Sequence, residues 1–201
     1  MTKDRYGLSI STNSPTASTH YVDGIDILLS QNFGSEEAFR KATEADEGFA
    51  LAHAALSVTL LMQDEMAEAK ASVKRASALA SGISRRERRN VEAISLFVNG
   101  KGPQSLALIR EHLDEFPRDA LMLRLTKPLF VLGCSGGGVA NFPKEFLALL
   151  RGLESDYGDD WAFLSNYAFA HHESGLLEDA RRLGERSLEL VPTNADASHA
   201  V

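Results

Sequence analysis

Three short turns recur along this chain, and each is followed by an alanine at the same offset. They are Glu44-Ala-Asp-Glu-Gly-Phe-Ala50, Glu115-Phe-Pro-Arg-Asp-Ala120 and Leu190-Val-Pro-Thr-Asn-Ala195; the alanine stands three residues after Glu47, Pro117 or Pro192. From Ala50 to Ala120 is 70 residues, or two units of 35. From Ala120 to Ala195 is 75, or two longer units, the excess falling in the glycine-rich stretch Gly133–Gly138. The intermediate boundaries are Ser81–Gly82 and Asp156–Asp159. A period of this size is the mark of stacked helix pairs, in which one unit cannot bury its apolar face without the next.

Between those boundaries the residues read as helix. Phe49–Met62 is apolar almost all round, as expected of a helix sandwiched between neighbours. Met66–Ala80 places Ala69, Val73, Ala76 and Ala80 three or four apart, which is one helix face. Ser84-Arg-Arg-Glu87 is a capping box that opens a helix to Asn99. Pro103 suits a first turn, where its missing N–H costs little, and Pro117 ends that helix. Asp119–Gly133, with Pro128 inside it, Phe142–Ser155, Asp160–Ser174 and Leu176–Leu190 continue the series. Thr19–Ser30 and Ser35–Ala45 precede it. No segment reads as a convincing strand. The Ser/Thr-rich residues 1–18 are expected to be an extended arm, and residues 19–201 a helical repeat domain.

Composition narrows the function classes. The 21 Lys and Arg against 28 Asp and Glu leave a net charge of −7, poorly suited to gripping a phosphate backbone. No apolar run reaches the roughly 18 residues of a membrane span, and Met1–Thr12 has no apolar stretch of the secretory kind. A single cysteine, Cys134, excludes an internal disulfide framework and a multi-thiolate zinc site. A soluble cytoplasmic protein with no nucleic acid, membrane or cofactor to bind is the expectation.

The repeat resembles the tetratricopeptide repeat, a helix–turn–helix of about 34 residues. Leu56, Ala69, Val73 and Ala76 take its characteristic positions in one unit, and Tyr167, Ala168, Gly175, Ala180 and Pro192 in another. Gly100 and Pro117 match a third unit whose other positions depart from the pattern. The resemblance implies an all-α, right-handed superhelix, an α-solenoid of about five helix pairs. Longer strings are similar to the tetratricopeptide repeat protein 38 family. They are Tyr6-Gly7, Phe49-Ala-Leu-Ala-His-Ala-Ala-Leu56, Ser84-Arg-Arg-Glu-Arg88 with Val91-Glu-Ala93, Pro117-Arg-Asp-Ala120 and Tyr157-Gly-Asp-Asp-Trp161. Members of that family are roughly twice as long and of poorly defined biochemical function. The resemblance therefore implies an amino-terminal part of a longer protein, with an apolar face awaiting its own carboxy-terminal half or a second copy in a homodimer.

The inner face of such an array is lined by the first helix of each pair. In this register the groove residues are Val58, Leu61 and Met62, then Ile94, Phe97 and Val98, then Phe169 and His172, with Glu173 beside them. Arg85, Arg86, Arg88 and Arg89 form a compact basic cluster, read either as a solvated helix start or as a patch for an acidic partner. Gly133-Cys-Ser-Gly-Gly137 fits G-x-S-x-G, but a nucleophile elbow needs a central sheet that this chain lacks the strands to build. No two histidines stand at i, i+4, and the adjacent His171 and His172 point about 100° apart on a helix. The leading expectation is a non-catalytic scaffold for a protein or peptide. The alternative is an enzyme or small-molecule binder completed by a missing half, with His172, His199 and an acid converging on one pocket.

Overall fold

The computed structural model describes residues 2–132, 139 and 141–199, with the backbone alone for 132 and 199. Among them are ten α-helices: α1 (Pro15–Leu29), α2 (Ser35–Ala45), α3 (Ala50–Met62), α4 (Met66–Leu79), α5 (Arg85–Val98), α6 (Gly102–Glu115), α7 (Ala120–Leu132), α8 (Phe142–Tyr157), α9 (Trp161–Glu173) and α10 (Leu177–Leu190). The all-α, helix-pair class expected from the period is what the chain adopts. The helices fall into two compact units: Met1–Leu28 with Phe33–Met122, and Leu29–Asn32 with Leu123–Val201.

In the first unit α3 is the central element, packed against α2, α4 and α5. Every residue from Ala54 to Leu60 is buried, which is why that stretch is nearly all apolar, and its two hydroxyls, Ser57 and Thr59, donate to carbonyls of their own helix. Alanines at Ala54, Ala55, Ala69 and Ala76 let neighbouring helices approach closely, and Phe39, Phe49 and Tyr21 fill the remaining space. Helix α5 starts at the predicted capping box: Ser84 Oγ accepts from Glu87 N, and the Glu87 carboxylate accepts from Ser84 N at 3.1 Å. Gly100, at φ 75°, turns the chain from α5 into α6 in a conformation that a side chain would strain.

The amino-terminal arm is less extended than its composition suggested. Thr2–Lys3 (β1) and Ser9–Ile10 (β2) pair antiparallel, in register Thr2 with Ile10 and Lys3 with Ser9. Asp4 shapes the turn between them by accepting from Tyr6 N at 3.0 Å and Leu8 N at 2.8 Å. Helix α1 begins at Pro15, four residues before the Thr19 start read from the sequence. Ser14 Oγ accepts from Ala17 N at 3.2 Å and the proline follows it, so Ser14–Pro15 is a cap-plus-proline signal hidden in a Ser/Thr-rich stretch.

In the second unit α9 packs against α8 on one side and α10 on the other. Asp160 caps α9 by accepting from Phe163 N at 2.9 Å. Tyr157 stacks on Phe163, with centroids 4.9 Å apart and planes 9° from parallel. Phe130 of α7 and Phe146 of α8, both fully buried, lie 5.2 Å apart.

Candidate functional site

The four arginines at the start of α5 do not form an open basic patch. Arg86 is buried: its guanidinium lies 2.6 Å from Asp119 Oδ2 and donates to the Ser9 carbonyl at 2.9 Å. Arg85 pairs with Glu115 at 2.6 Å, and Arg89 reaches Glu115 at 3.2 Å and Glu111 at 3.4 Å. Arg88 donates to the Ile83 carbonyl at 2.9 Å. Glu111 and Glu115 stand one turn apart on α6, which places both carboxylates over the guanidinium groups of α5. Arg86 is thus part of the interior, Arg85 and Arg89 are paired with acids of the same unit, and Arg85 and Arg88 stay exposed at the helix start.

Asp119 is the centre of a closed polar network. Besides Arg86 it accepts from Asn90 Nδ2 at 3.0 Å and lies 3.0 Å from His112 Nε2. Burial works to raise this carboxyl, but the hydrogen bond from His112 and the charge of Arg86 outweigh it and hold it below its ordinary 3.8. Burial pushes the Tyr21 hydroxyl well above its ordinary range. His112, Asp119 and Asn90 are 0–2% exposed, so the network is closed to solvent. Next to it Glu87 holds the arm: Ser11 donates to its carboxylate through N at 2.7 Å and through Oγ at 2.5 Å, while Thr12 Oγ1 donates to Asp46 at 2.6 Å.

The groove residues divide by depth. Val58, Ile94 and Val98 are buried core side chains, because α3 and α5 pack directly on each other. Leu61 and Phe97 are half-buried and Met62 is 48% exposed, all near the carboxy-terminal ends of those two helices. In the second unit Phe169 is half-buried and His172 exposed, its Nδ1 lying 3.3 Å from Glu173 Oε1. His171 is buried, with Nδ1 at 2.8 Å from the Tyr167 carbonyl, so the two neighbours diverge as expected. His53 is half-buried, its Nε2 3.1 Å from the Glu47 carbonyl, and burial pulls its pKa down.

The second unit holds its own buried ion pair, which sequence reasoning missed. Lys127 Nζ lies 2.5 Å from Asp196 Oδ1 and 4.1 Å from the centroid of the Phe169 ring. Gln31 also donates to Asp196, and Asp196 N donates to the Ser30 carbonyl at 3.2 Å. Burial lowers the Lys127 ammonium, against the pull of Asp196. A charged depression of about 420 Å³ lies on the surface, where Arg186 joins Asp159 and Glu189. Gly133-Cys-Ser-Gly-Gly137 lies outside the described residues, as does the side chain of His199, so neither the thiol nor the His172–His199 pocket is located. Among the described residues no three His, Cys, Asp or Glu side chains are grouped to hold a metal ion. Among them too, no helix is long and apolar enough to cross a membrane.

No family model matches the chain, and no curated protein matches it. The likeness to the tetratricopeptide repeat protein 38 family therefore rests on the sequence strings alone. Among solved structures the chain is similar to YrrB, described as a TPR protein with an unusual peptide-binding site. The two are 15% identical, with a TM-score of 0.46 over 94% of this chain and 93% of that one.

Proposed function

We propose that the chain is a non-catalytic scaffold of helix pairs that holds a protein or peptide. The observation that carries this reading is the contrast in the first unit between its reactive and its apolar side chains. The His112–Asp119–Arg86 network is sealed inside, while Leu61, Met62 and Phe97 remain accessible on adjoining helices. Accessible apolar side chains on neighbouring rigid helices suit an extended or helical ligand, which gains contact area there at little reorganisation cost.

A random-peptide selection against the folded chain, followed by titration of recovered peptides, tests this reading. Leu61→Asp and Phe97→Asp are expected to weaken the recovered peptides by tenfold or more while circular dichroism stays unchanged. Failure to recover any saturable binder, or binders indifferent to both substitutions, sinks it.

A further inference from the structure

Phe33 is fully exposed, at 103% of its reference area, in the turn between α1 and α2. A phenylalanine held in water by a defined turn is unusual, because it normally supplies one of the larger buried areas of a fold. The turn itself is fixed: Gly34 at φ 110° precedes α2, where a side chain would strain the backbone. The α3–α4 turn carries two more exposed apolar side chains, Met62 at 48% and Met66 at 43%.

Phe33 and Gly34, which lead into α2, lie at the same end of the first unit as the α3–α4 turn. Ser35 Oγ, at the first residue of α2, is 3.4 Å from Thr59 Oγ1, and Met62 follows Thr59 by one helical turn of about 5 Å. Arg40 of α2 pairs with Glu68 of α4 at 2.6 Å, which fixes the same neighbourhood from the other side. The surroundings are acidic. Glu36, Glu37, Asp64, Glu65 and Glu68 stand against Arg40, Lys41 and Lys70. Arg40 is committed to Glu36 and Glu68, and Lys41 to Glu37. Asp64 and Glu65 pair with no cation among the described residues.

We infer that Phe33, Met62 and Met66, with the unpaired carboxylates of Asp64 and Glu65 between the two methionines, form a docking surface for a basic amphipathic helix of a partner protein. The inference deepens the scaffold reading and rests on it for the idea that the chain binds a polypeptide. The aromatic ring and the two thioethers supply an adaptable apolar contact, since methionine re-packs around varied side chains. The unpaired carboxylates select a cationic face, and they disfavour an anionic membrane or an acidic peptide.

The probe is an 18-residue helix-forming peptide of leucine and lysine at i, i+3, i+4 spacing, with a leucine–glutamate peptide of the same pattern as control. The lysine peptide is expected to bind saturably, Phe33→Ser to weaken it tenfold or more, and Asp64→Asn with Glu65→Gln to weaken it at least threefold and reduce its salt dependence. Phe33 touches little in the fold, so its replacement leaves the thermal midpoint unchanged. Equal binding of the glutamate peptide, no binding, or indifference to Phe33→Ser overturns the inference. So does Phe33-dependent binding to phosphatidylcholine vesicles, or Phe33-dependent self-association in sedimentation, since each names a different occupant. If Leu61→Asp and Phe97→Asp abolish binding of selected peptides while Phe33→Ser does not, the scaffold reading stands and this surface falls. If Phe33→Ser alone matters, this surface stands and the Leu61–Phe97 face is not where the polypeptide is held.

Discussion

The Arg86 guanidinium lies 2.6 Å from the Asp119 carboxylate, with both side chains closed off from water. The pair joins the first turn of α5 to the residue that precedes α7, and His112 and Asn90 complete its coordination. Asp119→Ala leaves a buried guanidinium without its counter-charge, so a loss of about 3–5 kcal/mol is expected in urea unfolding. Replacing both partners by apolar residues, Arg86→Met with Asp119→Leu, should recover a large part of that loss, because no orphaned charge remains. A double variant no better than the single one would contradict this account.

The same carboxylate sets an acid dependence. Its folded pKa lies below the ordinary 3.8, so the unfolded chain takes up this proton first as the pH falls. The stabilisation is therefore complete above the unfolded value and is lost as the pH drops through the folded one. The gap in urea midpoint between the native chain and Asp119→Asn should be constant from pH 7 to about pH 5 and narrow below pH 4. A gap that stays constant down to pH 3 would show that ionised Asp119 contributes nothing.

Gly24 sits inside α1, where alanine would ordinarily be about 1 kcal/mol better than glycine. A Cβ there would come within 2.6 Å of the Phe39 ring, which is fully buried and has nowhere to move. Gly24→Ala is expected to destabilise by about 1–3 kcal/mol through overpacking, and thermal unfolding gives the sign directly. A stabilised variant would mean that the two helices separate easily.

In the second unit Asp196 is wholly buried and meets Lys127 beneath the Phe169 ring. Asp196→Ala should cost about 3–5 kcal/mol by stranding the ammonium. Hydrogen exchange is the suitable readout, with faster exchange expected in α7 and α9 and none of it in α3. Unchanged protection in α7 would argue that the ion pair is incidental.

Much of the helical layout was legible because it depends on local chemistry. Ser84–Glu87 named its own helix start, and the apolar run through Leu56 identified α3 as a buried element. Pro117 and Gly100 marked stops through a missing N–H and a positive φ. The start of α1 was missed because serine before proline looks like loop in a Ser/Thr-rich segment. The groove was legible only in part. Helical periodicity placed Val58, Ile94 and Leu61 on related faces, but it could not say which of them a neighbouring helix covers.

The basic cluster shows where the boundary lies. Its composition and its place at the start of α5 follow from residue order alone, since helix caps act over four residues. That Arg86 turns inward to Asp119, 33 residues away, while Arg85 and Arg89 meet acids of α6, follows from packing. The sequence by itself determined the helices, their period and the all-α class, because hydrogen bonds and apolar stripes within a helix are short-range. Only the tertiary structure decided which charges are sealed in and which apolar side chains stay outside. Burial is a property of the neighbours a residue meets, and those neighbours come from distant parts of the chain.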